Sequence, residues 1–118
     1  VELLSTLRSQ GYSIGIVSSS KQETTAALLK KFQLSVDFSY QCTLFNKAKV
    51  LKQVLSEKNL SVTDVIYVGD EVRDIEACQK IGLPIIAVTW GLNSKEALQH
   101  TGVPTADTRE ALLAMLLT

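Results

Sequence analysis

Apolar residues fall along the chain in short blocks whose spacing alternates between a helical repeat and an unbroken run. Leu3, Leu4 and Leu7 share a helical face between residue 2 and about residue 10, and Gly11 follows where a left-handed terminator belongs. "SIGIV" then reads as a short apolar strand. Ser20 stands three residues before Glu23, which predicts a capping box and a helix through about Phe32, with Ala27, Leu28 and Leu29 available to the core. "VDFSY" is a weaker strand, and "AKVLKQVLSEK" spaces Val50, Leu51, Val54 and Leu55 as one helical face. "VIYVG" is the next strand, "EVRDIEACQKIG" a helix closed by Gly82 with Pro84 beyond it, and "PIIAVTW" a fourth strand. Asn93 with Glu96, and Asp107 with Glu110, mark two further helix starts, the last running on through Leu112, Leu113, Leu116 and Leu117.

The predicted order is therefore αβαβαβαβαα. Its strands are continuous apolar runs rather than alternating ones, the pattern of strands buried on both sides and joined by helical crossovers. The expected fold class is α/β, a parallel sheet with helices on both faces. No internal repeat or low-complexity linker interrupts it.

Composition narrows the class. With 118 residues and 46% hydrophobic positions the chain suits one globular domain, residues 1–118. Twelve Lys plus Arg balance twelve Asp plus Glu, and no basic stripe gathers with aromatic residues, so nucleic acid is not an expected partner. Cys42 and Cys78 are too few for a disulfide framework or a zinc site and read as buried or half-buried thiols of a reducing compartment. No apolar run approaches the roughly 18 residues of a membrane span and no signal-peptide pattern opens the chain, so no membrane association and a cytoplasmic location are expected. Because Val1 opens a segment, "VELLSTLRSQG", that reads as the middle of something, we expect a piece of a longer chain.

In open α/β sheets the ligand crevice lies beyond the carboxyl ends of the strands. The first strand runs into Ser18, Ser19 and Ser20, the third into Gly69, Asp70 and Glu71, and the fourth into Thr89, Trp90 and Gly91. A hydroxyl beside the free N–H groups of a helix start makes an anion site, most simply for phosphate; Ser18 is the candidate, while Ser20 reads as an N-cap only. Asp70 and Asp74 are hard oxygen donors of the kind Mg²⁺ takes one or two at a time, and Gly69 lets the backbone turn sharply before them. Asp74 equally suits a first helical turn for its own sake, and Glu71 reads as solvated. Lys47 and Lys49 would sit in the first turn of a helix capped by Asn46, the unfavourable end for a cation, which points one of them at a bound anion; Lys47 is preferred as the nearer to the strand-side loop. His100 reads as surface, and no nucleophile–His–Asp order, GxGxxG or P-loop pattern is present.

Ser18 at a strand end, Lys47 at a helix start and "GDEVRD" at a later strand end, in that order, resemble the haloacid dehalogenase superfamily of phosphatases, and "VGDEVRDIEACQKIGLPIIAVTWG" looks most like its phosphoglycolate phosphatase-type members. The resemblance implies a Rossmann-like core in which Ser18, with Ser19 beside it, binds the transferring phosphoryl group. Lys47 would neutralise charge on that group and help hold the nucleophile, and Asp70 and Asp74 would hold Mg²⁺. It further implies hydrolysis of a small phosphorylated metabolite through a phosphoaspartate. One departure stands out: the family opens with an Asp-x-Asp pair on its central strand, whereas the aspartates here are Asp37, Asp64, Asp70, Asp74 and Asp107, no two separated by one residue. We therefore expect the C-terminal part of one such core domain, lacking the central first strand and the cap, and inactive alone. Two other readings stand beside it: a non-catalytic phosphate- or partner-binding domain of the same fold, and a flavodoxin-like receiver module, which would carry its acidic cluster earlier in the chain.

Overall fold

The computed structural model describes residues 2–43, 45–90 and 95–117. They form helices and parallel strands in the order α1 (Glu2–Ser9), β1 (Gly15–Ser18), α2 (Gln22–Lys31), β2 (Phe38–Gln41), α3 (Lys47–Glu57), a 3-10 turn (Val62–Asp64), β3 (Tyr67–Gly69), α4 (Val72–Ile81), β4 (Ile85–Val88), α5 (Lys95–Gln99), β5 (Thr105–Ala106) and α6 (Arg109–Leu117). Every pairing is parallel, β1 with β2 in one sheet and β3–β4–β5 in another. The α/β class with parallel strands is as expected. The chain divides into two compact units, residues 1–50 and 51–118.

In the first unit, α1 ends as its sequence requires: Gly11 takes φ 91° and the Tyr12 N–H returns to the Leu7 carbonyl at 3.1 Å. The register of β1 on β2 is pinned by Asp37, whose N–H donates to the Ile14 carbonyl at 2.7 Å while its Oδ2 accepts the Ile14 N–H at 2.6 Å. That bond, with the Arg8 guanidinium 3.4 Å away, holds the Asp37 carboxyl below its usual range. Gly15 lies opposite Phe38, whose ring occupies the space a Cβ would need.

Two expectations for α2 fail. Its N-cap is Lys21 with no side-chain cap, not Ser20. Instead the Gln22 N–H donates to Gln41 Oε1 at 3.3 Å and the Gln22 amide brackets Ser39, so the helix start is tied to β2 rather than to a serine cap. Nor do Ala27, Leu28 and Leu29 all face a core: Thr25 is the buried residue, Leu29 is half-buried, Ala27 is exposed and Leu28 is half open to solvent. The helix meets its sheet through the Thr25–Leu29 face, one turn of spacing that excludes positions 27 and 28.

In the second unit the core gathers around β4, whose four residues are all buried, with Leu51 and Val54 of α3, Ile75 and Cys78 of α4, Leu98 of α5, Ala106 of β5 and Leu112 of α6. Gly82 caps α4 in the left-handed conformation (φ 74°), as predicted, and Leu83 N–H bonds the Cys78 carbonyl at 2.9 Å. The fifth strand, β5, is too short for an apolar run to announce it. Asp107 does not cap the last helix: Thr108 does, its hydroxyl accepting the Ala111 N–H at 3.0 Å, because Asp107 is taken by the Thr89 hydroxyl and the Lys95 ammonium. Asn93 lies outside the described residues, as does Gly91. Cys42 and Cys78 are buried thiols, His100 is exposed, and among the described residues no helix is long and apolar enough to cross a membrane.

Candidate active site

Each predicted site residue falls at or after the carboxyl end of a parallel strand. Ser18 is the last residue of β1 and is half-buried, while Ser19 is exposed. The Ser18 carbonyl accepts the Cys42 N–H at 2.9 Å, and its Oγ accepts the Ser20 N–H at 3.0 Å. A hydroxyl that accepts from its own turn has its proton left to donate outward, which suits an anion's oxygen. Lys47 opens α3, just after β2. Asn46 occupies the cap position, its carbonyl accepting the Val50 N–H at 3.0 Å, while its side chain turns back to accept the Thr43 N–H at 2.6 Å. Lys47 is half-buried and Lys49 exposed.

In the other unit, β3 ends at Gly69 and α4 begins at Val72, with Asp70 and Glu71 between them. Asp74, the third residue of α4, is 4% exposed. Asp74 and Glu71 form a reciprocal box: Glu71 N–H donates to Asp74 Oδ2 at 3.3 Å, and the Glu71 side chain accepts the Asp74 N–H. The expectation that Glu71 is merely solvated is thus corrected; its side chain is 22% exposed, caps α4 and is held by the Arg73 guanidinium. Gly69 is explained by the same packing. A Cβ there would lie 2.7 Å from Asp74 Oδ2 and 2.9 Å from Asp74 Cβ, so only glycine lets the strand end lie against this buried acid.

A carboxylate that is nearly buried beside a second, half-buried one is an arrangement that proteins keep where charge is compensated. Capping supplies part of that compensation, and the dipole of α4 another part. Asp70 and Asp74 offer hard oxygen donors and no soft ones, which fits Mg²⁺ in donor type and in number of protein carboxylates. Among the described residues no group of three or more His, Cys, Asp and Glu side chains gathers as a self-sufficient metal cage.

Parallel strands followed by helices define an α/β protein, with Ser18 and Lys47 in one unit and Asp70 and Asp74 in the other, each at or beyond a strand's carboxyl end, the edge at which open α/β sheets take ligands. The chain belongs to the haloacid dehalogenase-like hydrolase family, whose model matches residues 1–88. It is 36% identical over 100 residues to a phosphoglycolate phosphatase of Synechococcus elongatus, an alignment covering 82% of this chain and 47% of that protein. It is 29% identical over 104 residues to the pyrophosphatase PpaX of Bacillus mycoides, covering 83% and 48% of the two chains. Among solved structures, a predicted phosphatase from Clostridium acetobutylicum superposes with a TM-score of 0.90 at 26% identity, over 98% of this chain and 57% of the other. A haloacid dehalogenase-like family hydrolase from Streptococcus pneumoniae shares the fold at a TM-score of 0.86 and 24% identity, over 98% and 57%. The chain thus spans about half the length of the curated relatives it matches.

Proposed function

We propose that residues 1–118 are the C-terminal part of a single core domain of a Mg²⁺-dependent phosphomonoester hydrolase acting on a small phosphorylated metabolite. The observation that carries this reading is the buried Asp74, four residues after Asp70, boxed with Glu71 and packed on Gly69, within a chain of this family. Asp70 and Asp74 would hold the Mg²⁺, which when bound supplies charge neutralisation for phosphoryl oxygens. Ser18 donates its hydroxyl proton to a phosphoryl oxygen, with the exposed Ser19 alongside it. Lys47 offers a half-buried ammonium that offsets phosphoryl charge and steadies the attacking carboxylate. These groups position and neutralise; none is a carboxylate in place to attack phosphorus.

The nucleophile is then an aspartate of an Asp-x-Asp strand outside these 118 residues, giving a phosphoaspartate that water hydrolyses. Among the described residues β1 is paired with β2 alone and β3 with β4 alone, so each has an edge able to accept such a strand. The names of the relatives make phosphoglycolate and pyrophosphate the first substrates to assay.

The test compares the 118-residue chain with the full-length protein for Mg²⁺-dependent phosphate release from p-nitrophenyl phosphate, phosphoglycolate and pyrophosphate. Turnover by the full-length protein and none by the short chain is expected. Robust turnover by the short chain would place the nucleophile among residues assigned here to binding and overturn the mechanism. The lack of an Asp-x-Asp pair in this chain favours one second reading, a phosphate- or partner-binding domain without catalysis. Phosphate binding without turnover by the full-length protein would establish it. Within an active full-length protein, Asp70→Asn is expected to lower kcat/KM by about 100-fold or more, Asp74→Asn by less and Glu71→Gln by least. Equal losses for Asp70→Asn and Glu71→Gln would remove Asp70 from the cation site.

A further inference from the structure

Between β3 and the first turn of α4 the chain carries three acids, yet they are not equivalent. The Glu71 carboxylate accepts the Asp74 N–H as half of the capping box. Its Oε2 also accepts from Arg73 Nε at 3.1 Å and from an Arg73 terminal N–H at 2.5 Å. Arg73 is the second residue of α4, a helix position where a cation opposes the macrodipole, so its placement there makes sense through the carboxylate it holds. A guanidinium can lay two N–H groups on one oxygen, which an ammonium does with less directional control.

We propose that Arg73 determines cation specificity by holding Glu71 out of the ligand set, so that this segment presents two carboxylates, Asp70 and Asp74, rather than three. The proposal rests on the reading of Asp70 and Asp74 as cation ligands. Mg²⁺ is small and demands a near-ideal octahedron with few carboxylates, whereas Ca²⁺ accepts six to eight oxygens and favours additional, often bidentate, carboxylates. A released Glu71, adjacent to Asp70 in sequence, would add charge and oxygens that benefit Ca²⁺ more than Mg²⁺. Arg73 is thus a positioning residue acting through Glu71, and its effect is on the ratio of two affinities rather than on activity.

The test is calorimetric titration of the full-length protein with Mg²⁺ and, separately, Ca²⁺, for the unmodified protein and for Arg73→Gln, Arg73→Lys, the double variant Glu71→Gln/Arg73→Gln, and Asp70→Asn. Arg73→Gln should shift the affinity ratio about fivefold toward Ca²⁺, the scale of a partly exposed charge pair. Arg73→Lys should shift it by about twofold, and it serves as the probe should Arg73→Gln fail to fold. The double variant should return the ratio to its original value, because glutamine still accepts the cap bond but brings no charge. An unchanged ratio in the single variants, or a shift that persists in the double variant, overturns the role of Arg73. Unchanged Mg²⁺ affinity in Asp70→Asn overturns instead the cation reading on which it rests, so the two failures are distinguishable.

Discussion

β4 and β3 are neighbours of nearly the same apolar character, yet their fates differ. Among the described residues β4 has a parallel partner on each side and all four of its residues are buried, whereas β3 has β4 on one side only and leaves Val68 40% exposed, with Ile66 before it 44% exposed. β1 behaves like β3: among the described residues it pairs with β2 alone, and Ile16 and Val17 are half-buried. An apolar run states what a strand is fit for, not what covers it. Among the described residues β1, β2, β3 and β5 each have one strand neighbour, and β4 alone has two.

Substitutions can break that comparison. Ile86→Ala in β4 should destabilise the protein by about 3 kcal/mol, since a 6% exposed side chain leaves a cavity, as read by denaturant unfolding. Val68→Ala in β3 should alter the stability of the 118-residue chain by about 0.5 kcal/mol. The same change in the full-length protein should be worth more than about 1 kcal/mol if the added strand covers it. Equal effects of Val68→Ala in the two proteins would mean that nothing further packs on β3.

A second change sharpens what β3 retains despite its open side. Gly69→Ala should destabilise by about 1–3 kcal/mol, because the new methyl group must displace a buried aspartate held by its capping box. It should also weaken Mg²⁺ binding by the full-length protein. A thermal midpoint unchanged by Gly69→Ala would show that Asp74 can yield.

The smallest effects are expected from the carboxylates that tie each unit together at its surface. Asp37 is held below the usual carboxylate range chiefly by the Ile14 N–H and then by Arg8. Asp107 is held below it by the Lys95 ammonium and then by the Thr89 hydroxyl. Since the folded values lie below the unfolded ones, these carboxylates add stability above about pH 4 and lose that contribution as the pH falls through the folded values. Asp37→Asn and Asp107→Asn should therefore lower the thermal midpoint slightly at pH 7 and flatten its decline below pH 4. Both groups are exposed, so shifts of a degree or two are the expected scale. A decline that steepens in either variant would reverse the assigned sign.

Local chemistry in the sequence determined much of this protein. Helix periodicity, Gly11 and Gly82 as left-handed terminators, the parallel-sheet character of the apolar runs and the carboxyl-end positions of Ser18, Lys47 and Asp70 depend on interactions within a few residues or on patterning along one element. Tertiary structure alone decided which local options were used. Ser20 had the chemistry of a cap, but Gln41 and Ser39 bind the start of α2; Asp107 had it too, but Lys95 and Thr89 engage its carboxylate and Thr108 caps the helix. Burial of Asp74 and exposure of Leu28 were likewise out of reach, because each depends on which face of an element meets a neighbour. The sequence lists the donors, acceptors and apolar faces a segment can offer; only the assembled chain chooses among partners of comparable strength, since each bond excludes another by geometry.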